Sequence, residues 1–409
     1  MLHTDTEQQV NPSSVPGARR PFPTWAVVTI GVFAVAIHAA VFQDQADWLV
    51  FYKAGANALA GQPLYRYEDL PMVYKYAPVT AYLFAPFAAL PAGVARVLWV
   101  LLTAAMLVRS QLLWSAMMPR QFHWRVHVLV MVLALPFVKH LFLYGNCDSM
   151  LLWLALESEA LRRTRPAVSG AVLAVACLFK PPLALLALVA FFSREWRRVA
   201  TLVPTGLALL FLPALFQGPT AAWSEILAWQ KMLSDSTAPL ICANQNQGVF
   251  GFACWFLSPA DGARYTLLAA GLGLALASVL TALLASIVRL DAARGRLAVT
   301  AVALYSTAVL SPLGWRNNLV FLLPLLYLLV DVVPLLRSRM ALAGVLFAPA
   351  LATLMGLFAY EILGRAGFAR FLHLRLFGVC AMVTAITALV LQRRAAREPQ
   401  RGTAAVALS

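Results

Sequence analysis

Asp44 and Asp47 stand at the end of the first long apolar run of this chain. The stretch that begins there, DWLVFYKAGANALAGQPLYRY (residues 47–67), is too polar to cross a bilayer. Further polar groups interrupt the apolar sequence downstream: Lys139-His140 followed by Gly145-Asn146-Cys147-Asp148, Lys180 before Pro181-Pro182, NQNQG from Asn244 to Gly248, and SPLGWRNN from Ser311 to Asn318. An ionisable side chain inside a membrane costs several kcal/mol unless paired, so each is a functional candidate. One chemistry would use them all. Cations would meet the phosphate of a lipid-linked substrate and stabilise charge building on it as it departs, while a carboxylate would take the proton of an incoming hydroxyl. That is transfer of a sugar from a lipid phosphate, and one carboxylate suffices if the anomeric centre inverts in a single displacement. Each residue also has a plainer reading. Asp47 suits a helix start, Arg316 can snorkel to head groups, and Lys180 can pair with a buried carboxylate such as Asp148.

The elements that must position these residues follow from composition. Of 409 residues, 61% are hydrophobic and only 12% charged, about half the charge of a soluble domain. Apolar runs recur from Trp25 to Leu391, which predicts an all-α polytopic membrane protein. Twelve spans are expected near 24–42, 92–117, 126–143, 147–161, 166–180, 181–193, 197–216, 264–289, 297–313, 317–336, 339–361 and 370–392. Proline at 181 and 182 should break 166–193 into two short helices. The net charge of +15 comes from short basic clusters between the runs, not from a nucleic-acid-binding face. Arg19/Arg20, Arg120/Arg125, Arg162/Arg163/Arg165, Arg194/Arg197/Arg198, Arg289/Arg294/Arg296, Arg337/Arg339 and Arg393/Arg394/Arg397/Arg401 all fall on one side of the expected topology. By the positive-inside rule that side is cytoplasmic and holds both termini. Residues 1–23 and 393–409 are then cytoplasmic tails, 24–392 is the membrane domain, and 43–91 and 217–263 are exterior loops. Within the first loop, 78–90 is too short to span and should lie in the interface. Residues 47–60 should form a second interfacial helix with Trp48, Phe51 and Leu59 toward lipid. The five cysteines, at 147, 177, 242, 254 and 380, contain no CxxC pair and are expected as free, apolar core residues.

At this level the residues resemble a known family. DWLVFYKAGANALAGQPLY is similar to the Asp-x-x-x-x-Tyr-x-Ala…Leu-x-Gly-x-x-Leu-Tyr signature of glycosyltransferase family 87. YKYAPVTAYLFAPFAALP, SGAVLAVACLFKPP, NQNQG and SPLGWRNNLVFLLP follow in the family's order, over roughly residues 44–336. The resemblance implies a C-type glycosyltransferase fold of about 12 transmembrane helices in an inner (plasma) membrane, with its cavity on the exterior, periplasmic side. It also implies a polyprenyl-phosphate sugar donor (mannose first), a lipid or glycan acceptor, no nucleotide sugar and no cofactor or metal. The general base would be Asp47, with Asp44 the second choice. Lys180, Arg316, Lys139 and His140 are the candidates for the donor phosphate. Tyr52, Asn146, Asp148, Asn244, Gln245, Trp315 and Asn317 are those for substrate. Two departures stand out: Gly-Asn-Cys-Asp at 145–148 where the family often has Gly-Gln-x-Asn, and Asn317-Asn318 where it often has His. A transporter or flippase for a lipid-linked saccharide is the competing class. The absence of internal repeats and the gathering of polar residues on one face weigh against it.

Overall fold

A computed structural model describes residues 24–42, 45–69, 72–119, 122–336 and 338–397. The tails 1–23 and 398–409 lie outside the described residues, as do Asp44, Arg120 and Arg337. The chain is all-α, and the one β-type pairing among the described residues is a bridge between Asn246 and Trp315.

Helix α1 (Thr24–Phe42) is followed by two short helices, α2 (Ala46–Leu59) and α3 (Pro78–Ala88), then the long α4 (Ala92–Met117) and α5 (Trp124–Tyr144). Next come α6 (Asp148–Leu161) and α7 (Pro166–Phe179), each only 14 residues. The chain breaks at Lys180 as the prolines require, passes through one 3-10 turn (Pro181–Leu183) and enters α8 (Ala184–Phe192). The second long loop follows α9 (Trp196–Phe211) and α10 (Ala214–Gln217), and it carries α11 (Pro219–Thr237) and α12 (Val249–Ala253). Then come α13 (Ala263–Leu290), α14 (Ala292–Val309), a 3-10 segment (Arg316–Leu322) leading into α15 (Leu323–Val332), α16 (Arg339–His373) and α17 (Leu376–Arg397). Pro78, Pro166 and Pro219 start α3, α7 and α11, where a missing N–H costs nothing.

All twelve segments expected to span are helical over most of their length, although the one expected over 297–313 ends at Val309. Seven are long and apolar enough to cross a membrane: 92–117, 124–144, 196–217, 263–290, 316–335, 339–373 and 376–397. Their burial separates core from periphery. The 316–335 segment is 83% buried and its middle, Leu319 to Val330, is apolar all round, which fits a helix at the centre of the bundle. The 196–217 segment is 6% buried and turns Val203, Leu207 and Phe211 outward, as a lipid-facing helix does. The last two spans need a boundary correction. Helical geometry runs on to His373, interrupted at Phe358 and Gly364, and the chain reverses at Arg375 (φ 53°). Residues 370–373 therefore close α16 instead of opening α17.

Two further expectations are overturned. Trp48 and Phe51 do not face lipid; both are buried. Trp48 stacks on Trp99 at 5.7 Å and Phe51 on Phe84 at 4.7 Å, because α2 lies between α3 and the start of α4 and buries its large aromatics there. Each such pair contributes about 0.5–1.5 kcal/mol beyond area burial. Leu59 is exposed as expected. The cysteines are not all free: Cys242 and Cys254 form a disulfide, while Cys147, Cys177 and Cys380 remain thiols. The second long loop doubles back through α12 and brings together two residues whose 12-residue separation carries no motif.

Candidate active site

The position of Asp47 is set by the corner between α5 and α6. Gly145 ends α5 in the left-handed region (φ 64°), where glycine pays no Cβ penalty. A Cβ there would also stand 2.8 Å from that of Trp48, so only glycine admits α2 this closely. Gln45 takes the same conformation (φ 50°) and its Nε2 donates to Phe142 O at 3.0 Å. Trp99 Nε1 donates to Gly145 O at 2.8 Å. Pinned in this way, the first turn of α2 sets Asp47 against the corner, and Asn146 Nδ2 donates to Asp47 Oδ2 at 2.6 Å. The other end of the Asn146 amide, Oδ1, accepts the Asp148 N–H at 2.9 Å, satisfying one of the orphan donors at the start of α6.

Asp148 joins three segments. It is fully buried; Lys180 from the α7–α8 break donates to one carboxylate oxygen, and Asn317 Nδ2 (3.0 Å) and Asn318 Nδ2 (2.5 Å) donate to the other. Of the two readings of Lys180, the structure therefore shows the paired one, with the ammonium also lying 5.8 Å from the centre of the Phe321 ring. The two departures from the family pattern turn out to be in contact: the carboxylate at 148 is met by the amides at 317 and 318.

The other expected residues divide. Arg316 has no carboxylate partner among the described residues. Its guanidinium lies over Phe377 at 5.0 Å and Phe368 at 6.0 Å, and its buried Nε makes no hydrogen bond. His140 is buried beside the Tyr144 ring at 4.6 Å with Nδ1 unpaired, whereas Lys139 is exposed. Tyr52 donates to Leu90 O at 2.8 Å and ties α2 to the end of α3. Trp315 N donates to Asn318 Oδ1 at 2.9 Å. In the NQNQG loop Asn244 is exposed and the Gln245 Oε1 is unpaired. The buried members are Asn246 and Gln247, which the sequence reading passed over. Asn246 Nδ2 donates to Pro312 O and its Oδ1 accepts Gly314 N, each at 2.9 Å, locking this loop to the Ser311–Trp315 corner. Arg375 holds the loop from the other side, donating to Cys242 O and Ala243 O at 2.9 Å.

Lys75 also went unforeseen. It donates to Ser236 O at 3.2 Å and acts electrostatically on Asp47. Burial pushes the Asp47 carboxyl up to about 6, opposed by the Asn146 hydrogen bond; Asp148 raises it further, and Lys180 and Lys75 lower it. A carboxylate so poised has the character of a general base near neutral pH. Among the described residues no group of three or more His, Cys, Asp or Glu is placed to hold a metal ion. A surface cavity of about 450 Å³ bordered by Arg165 and Arg197 lies at the other end of α7 from Lys180 and is not part of this site.

Comparison with known proteins now bears on the chemistry. The profile of Glycosyltransferase family 87 matches residues 74–312, more than half of the chain. The chain belongs to glycosyltransferase family 87. A curated relative from Mycobacterium tuberculosis (strain ATCC 25618 / H37Rv), a polyprenol-phosphate-mannose-dependent alpha-(1-2)-phosphatidylinositol mannoside mannosyltransferase, is 28% identical over 317 residues, 71% of each chain. No solved structure matches. This family 87 member is thus a multi-pass membrane glycosyltransferase. Its matched region takes in the α5–α6 corner, Lys180 and the NQNQG loop, and stops at Pro312, short of Arg316.

Proposed function

We propose that this protein transfers a sugar, mannose first, from a polyprenyl-phosphate donor to a hydroxyl of a lipid or glycan acceptor on the non-cytoplasmic face, with inversion and with Asp47 as general base. What carries the proposal is the Asp47 carboxylate itself. It is partly buried, at the head of α2, kept as an acceptor by Asn146 and held near pH 6 by its surroundings. The relative's dependence on a polyprenol-phosphate mannose supports the donor class.

The step is a single displacement. The acceptor hydroxyl gives its proton to Asp47 as its oxygen bonds to the anomeric carbon, and the bond from that carbon to the phosphate oxygen breaks. The electron pair of that bond stays on the phosphate oxygen, and the leaving group is the polyprenyl phosphate anion. Arg316, with its guanidinium free of any carboxylate among the described residues, is the principal cation for that phosphate; its fork binds two oxygens at once. Lys180, although paired with Asp148, keeps a 21% exposed side chain and two further N–H donors. His140 lies within electrostatic reach of Arg316, and Lys139 precedes it on α5; both are secondary candidates for the phosphate. A disulfide in the 217–263 loop supports the exterior assignment of this face, since disulfides persist in oxidising compartments.

The test is transfer from radiolabelled polyprenyl-phosphate mannose in vesicles holding the purified protein. Label that appears in an acceptor product supports the enzyme. Label that only crosses the bilayer, still on its polyprenyl phosphate, would mean a flippase.

A further inference from the structure

Asn146 has no rotational choice. Its Oδ1 is occupied by the Asp148 N–H, and a flipped amide would set its oxygen against the Asp47 carboxylate while turning its NH₂ toward a backbone donor. The NH₂ therefore points at Asp47. A donor that cannot turn over favours the charged form of the acid it faces. Two residues on, Asp148 does the opposite. Lys180, Asn317 and Asn318 keep it in place as a fully buried acceptor, so a second carboxylate residue is joined to the first through the Asn146 amide and acts on it electrostatically. We propose that Asn146 and Asp148 are opposed positioning residues for Asp47, Asn146 fixing it as an acceptor and Asp148 repelling its charge. This rests on Asp47 as the base, and it adds that one short corner, 146–148, sets the pH at which that base works.

Among the described residues, the other groups facing Asp47 are few. Lys180 comes from the α7–α8 break and Lys75 from the segment before α3, both cations that favour the carboxylate. The Tyr76 phenol, neutral at working pH, follows Lys75, and the Cys147 thiol lies between the two corner residues. None of these is hydrogen-bonded to Asp47, so the amide of Asn146 has the most direct hold on its proton. Asp148 acts on it more strongly than Lys180 does.

If Asn146 and Asp148 only hold the corner together, substituting either should lower stability and leave the titration of Asp47 where it is. If they tune it, the two substitutions move it in opposite directions. Two readouts apply to purified protein in lipid: the pH profile of transfer, and infrared titration of the Asp47 carboxyl assigned by subtracting the Asp47→Asn spectrum. In Asn146→Ala the midpoint should rise by about one pH unit as the hydrogen bond is lost, and in Asp148→Asn it should fall by a similar amount. Where Asp148→Asn does not fold, Asp148→Asn/Lys180→Gln leaves no unpaired charge, and its midpoint should still lie below wild type. Midpoints that stay put, or that move in the same direction, overturn the proposal. The infrared titration reads the tuning without activity. Opposite shifts in a protein whose Asp47→Asn variant still transfers sugar would keep the tuning and remove the base role instead.

Discussion

Asn146 Nδ2 and Asp47 Oδ2 meet across 2.6 Å although 99 residues separate them. The contact fastens the head of α2 to the α5–α6 corner and leaves a carboxylate facing the site with its charge only partly compensated. Its ionisation works against the fold. Because burial raises the Asp47 carboxyl to about 6, the folded protein holds that proton more tightly than the unfolded chain does. Ionisation above pH 6 therefore costs stability. Asp47→Asn is expected to raise thermal stability at pH 7.5 by the equivalent of about 1–3 kcal/mol. The gain should shrink as pH falls and vanish below about pH 4, where wild-type Asp47 is protonated in both states. Melting curves of the two proteins across this range check the sign.

Lys180 and Asp148 form a partly buried ion pair, and removing the lysine strands a fully buried carboxylate. Lys180→Met should destabilise the protein by about 3–5 kcal/mol, whereas Lys180→Met combined with Asp148→Asn should cost much less than the sum of these two changes made singly. Denaturation of the three variants tests this by a double-mutant cycle, and additive losses would mean that the pair is not coupled.

Arg316 carries the donor-phosphate assignment. Arg316→Ala should weaken donor binding and transfer together by about 1.5–3 kcal/mol, as loss of a charge-assisted bond requires. Arg316→Lys should recover only part of that, because the fork is gone. Affinity for polyprenyl-phosphate sugar, measured on folded variants, decides the matter; unchanged affinity in Arg316→Ala would move the phosphate elsewhere.

The exterior siting of 217–263 is open to labelling. Ser224 is exposed on α11, whereas Ser236 is buried with its carbonyl accepting from Lys75, so Ser224→Cys is the site to use. It should react with an impermeant thiol reagent in intact cells, above a background set by the native cysteines. Reaction only after the membrane is opened would reverse the topology.

Much of this architecture was legible in the sequence, for identifiable reasons. Helix limits follow apolar run length, and the break at Lys180-Pro181-Pro182 follows from proline geometry, so both emerge from local chemistry. What was misread depended on non-local packing. Trp48 and Phe51 look like lipid-facing aromatics until α3 and Trp99 are placed beside them. In NQNQG the buried amides are Asn246 and Gln247, not Asn244 and Gln245, and that register is set by the corner at Pro312–Gly314. Lys75, between two tyrosines, carries no signal until α2 brings Asp47 near it. Cys242 and Cys254 meet only because the loop folds back through α12. The Asp47–Asn146 contact, which organises the site, joins two motifs whose adjacency no spacing rule encodes.

The central claim is that Asp47 takes the proton from the acceptor hydroxyl. The most direct measurement is the transfer rate from polyprenyl-phosphate mannose by wild-type and Asp47→Asn proteins, both shown to be folded, in vesicles at pH 7.5 with saturating donor. Loss of a general base predicts a fall of about two to four orders of magnitude with donor affinity unchanged. An Asp47→Asn protein that transfers sugar at close to the wild-type rate would contradict the account.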